Sequence, residues 1–391
     1  MIQSNQQIYV DNAASTPVRD EVVAAMQPFL QTVFGNPSSI HKCGIYARRN
    51  IDEARERIAY CLKCHPDELY FTSGGTESNN WAIFGMAMAS EKKELITSQI
   101  EHRSVLNAIK ALERFAYKAA YLKTNSFGEV VPEELETLIN LNTALITVML
   151  ANNETGVLQP VDKISELAHW HNIPFFSDAV QAIGNVELDL SKGLFDAMSF
   201  SGHKLGGPKG IGILYLRRGT KIEPFLHGGG QERGYRGGTE NVPGIMGLAT
   251  AVELAINDLK KKQSVQSIKL RLLEALHDIP MAHLSGRLDN TLPGTLHICF
   301  DYVDGSDLVR YLSMNGIFAS SSSACASNAK EPSHVLLAMG IPYELARGAL
   351  RISLNERNTI DEVLYLAHVL KTAVSTLRSM NAEYRNMYMK K

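Results

Sequence analysis

The sequence predicts an α/β fold, with a large domain built on a mainly parallel sheet and a smaller α+β domain after it. Strand and helix signals alternate along most of the 391 residues. Strands separated by helices of crossover length form βαβ units, and their sheet is largely parallel and covered on both faces. The length itself corresponds to two or three domains of ordinary size.

Helices are predicted where apolar residues recur at helical spacing. Over about residues 46–62, Ile51, Ala54 and Ile58 are separated by charged residues, as in an amphipathic helix. The other predicted helices cover residues 20–30, 76 onward, 104–115, 161–171 and 245–269, with further helices at the C-terminal end. The charged second half of 245–269 indicates a solvated helix face or a connector to the second domain.

Strands are predicted where short apolar segments lie between turn residues. They cover residues 68–72, 94–97, 144–150, 174–177, 197–200, 211–216 and 295–300. A glycine-rich loop is predicted over residues 227–244 and a serine-rich loop over residues 320–330. The composition changes at these two loops, which supports a division into a larger and a smaller domain.

The composition excludes several classes of protein. Lys and Arg number 39 against 41 for Asp and Glu, so the net charge of −2 provides neither a basic footprint for nucleic acid nor a polybasic membrane anchor. The first residues resemble no signal peptide, and no apolar run looks long enough to span a bilayer. Five cysteines are too few for a disulfide scaffold. We therefore expect a cytoplasmic protein with reduced thiols.

Lys204 is the most informative single residue. It follows the strand predicted over 197–200 and lies between glycines, next to His203. Burial there would lower the lysine pKa and leave a neutral amine that can form a Schiff base. For an isolated lysine, a surface turn with the amine in solvent is the alternative interpretation.

Two upstream features suggest what Lys204 could bind. A strand, the turn Gly74–Gly75 and a helix beginning at Thr76 direct free N–H groups at an anion, although such glycines can also be purely steric. Asp178 follows a buried strand, where it could pair with a protonated ring nitrogen or cap the next helix. A phosphate cradle, an acidic partner and a strand-end lysine, in this order, indicate a pyridoxal phosphate site.

With these residues, the chain resembles the class I cysteine desulfurases of the nitrogen-fixation and iron–sulfur-cluster type, within the class-V aminotransferase superfamily. The matching segments extend over nearly the whole chain. They are residues 9–14, 34–39, 72–78, 101–102, 151–156, 177–182, 201–204, 236–241, 323–325, 331–334 and 351–354. The resemblance implies a fold-type I, pyridoxal 5'-phosphate-dependent transferase that forms a homodimer, with a seven-stranded, mainly parallel sheet in its large domain.

The resemblance also implies domain boundaries and residue roles. The large domain would cover residues 15–258, and the small domain residues 1–14 and 259–391, with a mobile cysteine loop at about 319–331. Lys204 would hold the cofactor and shuttle a proton, while His102 would stack on its ring. The remaining roles would be Asp178 at the ring nitrogen, Gln181 at the phenolic oxygen, Gly75, Thr76, Ser201 and His203 at the phosphate, Thr239 at the phosphate of the neighbouring subunit, and Asn153 and Arg351 at the substrate carboxylate. The alternatives are a helix-capping core histidine for His102 and a solvated side chain for Arg351.

Cys325 distinguishes desulfurase chemistry from other pyridoxal phosphate chemistry. Its small, polar neighbours are typical of a loop, where a thiol can attack a substrate sulfur and then present its persulfide elsewhere. The expected reaction converts L-cysteine to L-alanine and leaves a persulfide on Cys325. Ser322 departs from the family, which usually has glycine there. A selenocysteine lyase, another lyase of the same fold, and a non-catalytic sulfur-transfer platform remain alternatives.

The expected partners are L-cysteine, a second subunit and a protein that accepts the sulfur for iron–sulfur cluster assembly or for tRNA or DNA sulfuration. We expect no direct contact with nucleic acid or membrane. The string Cys61-Leu-Lys-Cys64-His65 matches a haem-attachment motif, but that chemistry belongs to exported proteins. No second Cys or His pair has zinc-finger spacing, so no metal site is expected.

Overall fold

Twelve strands are present in the computed structural model, which describes residues 7–321 and 331–389. They are β1 (Ile8–Tyr9), β2 (Leu69–Thr72), β3 (Glu94–Ser98), β4 (Lys118–Leu122), β5 (Thr143–Thr147), β6 (Phe175–Asp178), β7 (Ala197–Ser201), β8 (Gly212–Leu216), β9 (Ala282–Leu284), β10 (Thr295–Phe300), β11 (Ile317–Phe318) and β12 (Ala349–Ser353). Seven of these described strands form one sheet in the order β2-β8-β7-β6-β5-β3-β4. Only β8 is antiparallel to its neighbours, so the sheet is mainly parallel as predicted.

The helices of the described residues cover this sheet and build the remainder of the chain. They are α1 (Asp20–Gln31), α2 (Lys42–Leu62), α3 (Gly75–Met88), α4 (Arg103–Leu112), α5 (Pro132–Leu138), α6 (Val161–Trp170), α7 (Val242–Asn257), α8 (Lys262–Leu276), α9 (Gly305–Met314), α10 (His334–Ala338), α11 (Tyr343–Arg347), α12 (Ile360–Met380) and α13 (Ala382–Tyr384). The predicted strands that correspond to β2, β3, β5, β6, β7 and β8 and the predicted helices that correspond to α1, α2, α3, α4 and α6 agree with these bounds to within a few residues.

Adjacent residues of one strand supply opposite faces of the sheet. Phe175 belongs to a core formed with α2, α6 and α7, whereas Phe176 belongs to a second core formed with α3 and α4. Both side chains are fully buried, because successive residues of a strand point to opposite faces and helices cover each face. Helices therefore cover both faces of the sheet at β6, whereas the edge strand β4 is partly exposed.

A smaller group of elements follows in the chain. Strand β10 pairs antiparallel with β9 and β12, and β1 pairs in parallel with β11. Helices α8 and α12 cover the three-stranded sheet, and Ile8 and Val10 near the N-terminus join their core. The two ends of the chain thus meet in one apolar cluster.

One prediction about secondary structure is wrong, and one strand of the seven-stranded sheet was not predicted. The helix predicted over residues 245–269 is two helices, because a turn at Asp258–Lys261 separates α7 from α8. Asp258 is buried at this break and pairs with Arg19, with 2.7 Å between Oδ2 and Nη1. Strand β4 was not predicted, because its sequence Lys-Ala-Ala-Tyr-Leu has few strong strand formers.

The helical segment formed by α7 and α8 bears on the prediction that no apolar segment is long enough to span a bilayer. By length and composition alone, Val242–Leu276 is apolar enough to cross a membrane. This is weak evidence, because 61% of its apolar window is buried inside the protein. Helix α7 packs in the core with α2 and the sheet, which accounts for its apolar residues.

Candidate active site

A cavity of about 270 Å³ lies where β3, β5, β6 and β7 end. Its walls come from the turns that follow these strands, from the start of α3, from Ala13 and Ala14, and from Arg351 on β12. The carboxyl ends of parallel strands are the usual place for ligand binding in open α/β sheets. Ten of the twelve predicted site residues line this cavity: Gly75, Thr76, His102, Asn153, Asp178, Gln181, Ser201, His203, Lys204 and Arg351.

The other two predicted residues are not in this cavity. Thr239 is exposed in the loop before α7 and does not line the cavity of its own chain. Its predicted role toward a neighbouring subunit stays a prediction. Cys325, like Ser322, lies outside the described residues.

The start of α3 can hold an anion. Gly74 precedes the helix with φ of 151°, a backbone conformation that favours glycine. A Cβ on Gly75 would lie 2.7 Å from Cγ2 of Val180, so a larger residue would fill the space in front of the helix. The first N–H groups of a helix have no partner within it, and they favour a negative charge. The requirement for glycine at both positions supports the predicted phosphate cradle.

Neutral donors complete this end of the cavity. The hydroxyls of Thr76 and Ser201 and the ring of His203 lie along its wall. Burial and the nearby Lys204 lower the pKa of His203 to about 4, so its imidazole is neutral at physiological pH. A neutral imidazole still offers one N–H, and the anion would be held mainly by dipoles.

Asp178 is fixed at the end of β6. Its Oδ1 accepts a hydrogen bond from the N–H of Val180 at 3.0 Å, and its Oδ2 accepts one from Nδ2 of Asn79 at 2.7 Å. The side chain is buried, and no helix begins directly after it in the described structure. The alternative role as a helix cap is therefore wrong, and the carboxylate lines the cavity instead.

His102 combines the two interpretations that its sequence allowed. It is the N-cap of α4, where its Nδ1 accepts the N–H of Ser104 at 3.1 Å. It also lines the cavity. Burial lowers the His102 pKa, Asp178 opposes this effect, and Lys204 adds to it. The capping interaction fixes the ring in place against the cavity.

Lys204 lies in the short turn Gly202–Lys204 after β7. Its Nζ donates to the carbonyl oxygens of Ala13 at 2.5 Å and Ala14 at 2.9 Å, so the amine does not point freely into solvent. Gln181 donates from Nε2 to the same Ala13 oxygen at 2.9 Å. The N-terminal segment thus holds two predicted cofactor ligands against the cavity.

Arg351 closes the cavity from β12. Its side chain is buried, with Nη2 donating to Asp11 Oδ1 and Nη1 donating to the carbonyl oxygen of Asn153, both at 2.8 Å. The Nε of Arg351 and the Oδ1 of Asn153 are buried and have no hydrogen-bond partner among the described residues. The interpretation of Arg351 as a solvated side chain is therefore wrong. Unsatisfied buried polar atoms are costly, and a bound polar ligand would satisfy them.

Comparison with known proteins gives the same assignment as this geometry. Residues 8–366 match the family model described as Aminotransferase class-V.

The chain belongs to the class-V aminotransferase family.

Among curated relatives, it is 46% identical to cysteine desulfurase IscS of Methanosarcina thermophila over 98% of this chain and 96% of that protein. It is 42% identical to cysteine desulfurase IscS of Dictyoglomus turgidum over 96% of each chain.

Solved structures of this aminotransferase family agree. A NifS-like protein superposes with a TM-score of 0.90 at 40% identity, covering 95% of this chain and all of the other. SspA in complex with cysteine superposes with a TM-score of 0.79 at 39% identity, covering 89% of this chain and 99% of the other. The predicted fold class and membership of the cysteine desulfurases within the class-V aminotransferases are confirmed, and so is the predicted enzyme class.

Three residues of the site were not predicted. Asn79 and Ser104 line the cavity, and Asp11 pairs with Arg351. Each lies within, or within two residues of, a matched segment, so position was the only signal in the sequence. Their side chains also occur as ordinary caps and turn formers, which is why their chemistry alone does not identify them.

The cysteines of the haem-like string lie at the end of α2, away from the cavity. Cys61 and Cys64 are unpaired thiols that pack against the large core, and burial raises the pKa of Cys64 to about 12. Within residues 7–321 and 331–389, no three His, Cys, Asp or Glu side chains are grouped as a metal ion would require.

Proposed function

We propose that this cysteine desulfurase works with pyridoxal 5'-phosphate in the cavity described above and transfers the sulfur of L-cysteine to Cys325. The observation that carries the proposal is the convergence on one cavity of a helix N-terminus, a buried carboxylate and a lysine amine. The similar SspA structure contains cysteine, which supports the same substrate here.

The residues present fit the cofactor. Gly75, Thr76 and Ser201 suit its phosphate, and Asp178 suits the protonated ring nitrogen. The Lys204 amine suits its aldehyde, since the amine can leave the Ala13 and Ala14 carbonyls for a covalent bond. When bound, the cofactor serves as an electron sink that makes the Cα proton of the amino acid acidic.

Arg351 and Asn153 would receive the substrate carboxylate. A guanidinium binds a carboxylate through two parallel hydrogen bonds, and Arg351 still has an unpaired Nε. Asp11 and the Asn153 carbonyl oxygen hold the other two nitrogens and so fix the plane of the guanidinium. This arrangement would orient Cα of the substrate relative to Lys204.

Lys204 and His102 would move the protons. With the cofactor bound, the Lys204 amine would take the proton from Cα of L-cysteine. The Cys325 thiolate would then attack the substrate sulfur, forming an S–S bond as the C–S bond breaks. The electron pair of the C–S bond would remain on Cβ, which would take up a proton. Cα would regain the proton held by Lys204, and L-alanine would leave. The sum is L-cysteine plus the Cys325 thiol, giving L-alanine plus the Cys325 persulfide.

The assembly is a homodimer in this proposal, and Thr239 would complete the phosphate site of the second subunit. The loop that carries Thr239 is anchored to α3, because Arg236 donates from Nε to Glu77 Oε1 at 2.8 Å. Glu77 Oε2 in turn accepts the N–H of Ser73 at 2.8 Å, in the turn before the helix. A second subunit in contact with this loop would therefore be connected, through Arg236 and Glu77, to the turn that forms the phosphate cradle.

The remaining parts of the proposal concern organisation and partners. We propose a large domain of residues 15–258 and a small domain of residues 1–14 and 259–391, which the separate cores support. The persulfide would pass to a protein acceptor in the cytoplasm, for iron–sulfur cluster assembly or another sulfuration pathway. The net charge of −2 favours a protein relay over direct binding of nucleic acid.

The test combines colour with product formation. The protein loaded with pyridoxal phosphate should be yellow, should retain the cofactor after borohydride reduction, and should form alanine from L-cysteine. Lys204→Ala should abolish both covalent retention and alanine formation, whereas Lys209→Ala, an exposed lysine of the same loop, should keep them. A wild type without cofactor or without alanine formation would contradict the proposal.

A further inference from the structure

A buried chain of hydrogen bonds connects His102 with Asp178. Nδ2 of Asn79 donates to Oδ2 of Asp178 and to Oγ of Ser104, each at 2.7 Å. Oγ of Ser104 lies 2.7 Å from Nδ1 of His102. Asn79 and Ser104 are buried, with exposed fractions of 1% and 9%, so water does not compete for these bonds.

The carboxylate determines the direction of every bond in this chain. A carboxylate oxygen accepts hydrogen bonds, so the Asn79 atom next to Oδ2 of Asp178 is the amide nitrogen. The second hydrogen of that nitrogen is then donated to Ser104 Oγ, which acts as the acceptor. The single hydroxyl hydrogen of Ser104 is left for His102.

His102 consequently receives two donors at one ring nitrogen. The hydroxyl and the backbone N–H of Ser104, at 2.7 Å and 3.1 Å, both point to Nδ1. An imidazole nitrogen that accepts hydrogen bonds carries no proton, so the proton of the neutral ring is on Nε2. Protonation of Nδ1 would require both donors to turn away.

We propose that Ser104 and Asn79 are positioning residues that hold His102 as the neutral Nε2–H tautomer and connect it to the carboxylate of Asp178. The effect on catalysis rests on the proposed function, whereas the tautomer of His102 does not. His102 would present its Nε2–H to the cavity before it takes part in proton transfer. The carboxylate of Asp178 would then orient two rings: the cofactor ring through its nitrogen, and the imidazole of His102 through Asn79 and Ser104.

The charged groups around His102 make a clear prediction for Ser104→Ala. Asp178 favours protonation of the ring, and Lys204 and Arg103 oppose it; His334 donates to the backbone oxygen of Glu101 nearby. Loss of the hydroxyl removes one donor from Nδ1 while these charges stay, so the His102 pKa should rise. The acid limb of kcat should move to higher pH, and kcat should fall about tenfold with little change in KM.

The experiment uses the full chain loaded with pyridoxal phosphate and labelled with ¹⁵N at histidine. Nuclear magnetic resonance of the ring nitrogens should show a wild-type His102 with an unprotonated Nδ1 and a protonated Nε2. Ser104→Ala and Asn79→Ala should both raise the pH at which this ring titrates, and Ser104→Thr should restore the wild-type value. Ser165→Ala removes a buried hydroxyl on α6 that donates to Leu194 O at 2.6 Å and lies 3.4 Å from Nδ1 of His169; it should change neither the His102 signals nor the pH profile.

Two outcomes would overturn the inference. One is a His102 proton on Nδ1 in the wild type, and the other is a Ser104→Ala variant with wild-type nitrogen shifts and titration. Failure of the proposed function is a separate result: the wild type would then release no alanine, while the ring nitrogens would still decide the tautomer.

Discussion

Glu101 allows a prediction in which stability depends on pH with a defined sign. It precedes His102 and is fully buried. Its Oε1 accepts hydrogen bonds from the Ser98 hydroxyl at 2.5 Å and from the Met149 N–H at 2.9 Å. Its Oε2 is buried and has no hydrogen-bond partner within the described part of the chain. Burial, with a smaller effect of Asp178, raises the pKa of Glu101 from 4.5 to about 8.

The sign follows from proton binding. Between the unfolded value of 4.5 and the folded value of about 8, the folded protein holds a proton at Glu101 that the unfolded chain releases. The contribution of this proton to stability is therefore complete below the unfolded pKa, and it is lost as pH rises through the folded pKa. The loss is about 1.4 kcal/mol per pH unit, or about 2 kcal/mol between about pH 6 and about pH 7.5.

Glu101→Gln removes this dependence, because an amide keeps the oxygen that accepts both hydrogen bonds but does not ionise. Thermal unfolding of both proteins, equally loaded with cofactor, measures the effect. Over this pH range the variant should gain about 4 °C in melting temperature relative to wild type, for a cooperative unit of about 250 residues. Glu136→Gln, an exposed helical glutamate, is the matched control and should show no gain. Parallel curves of melting temperature against pH for wild type and Glu101→Gln would refute the reasoning.

Three further predictions concern the site. Arg351→Lys keeps the charge but loses the planar fork, so KM for L-cysteine in the alanine assay should rise about tenfold or more; an unchanged KM would exclude its role at the carboxylate. Asp178→Asn should lower kcat about 100-fold or more, and a kcat within twofold of wild type would argue against pairing with the ring nitrogen. Arg236→Gln breaks the ion pair with Glu77, so cofactor should dissociate about fivefold faster during dialysis; an equal rate would contradict coupling of this loop to the phosphate cradle.

Much of the fold and of the site was predictable because the residues involved have few alternative uses. Gly74 has a backbone φ of 151°, and a Cβ on Gly75 would lie only 2.7 Å from Cγ2 of Val180. Such positions are visible in the sequence as a glycine pair after a strand. Asp178 ends β6 and Lys204 lies in the turn after β7, where parallel topology brings strand ends together. Local sequence and overall fold agree at these positions.

The unpredicted features depend on contacts between distant segments. Asn79 and Ser104 are 25 residues apart, and only packing of α3 beside α4 joins them into one chain of hydrogen bonds. At the break between α7 and α8, Asp258 pairs with Arg19, which is 239 residues away in the sequence. Periodicity reports which face of a helix is buried, but it does not report a remote partner.

Persulfide formation at Cys325 is the most direct test of the proposed sulfur transfer. The wild type is treated with one equivalent of L-cysteine without added thiol, and the peptide that contains Cys325 is analysed by mass spectrometry. The proposal predicts one additional sulfur atom on Cys325 and one L-alanine per site. It also predicts neither product in Cys325→Ser and both in Cys43→Ser, which alters an exposed cysteine. Sulfur on another cysteine, or alanine formation at the wild-type rate by Cys325→Ser, would contradict the proposal.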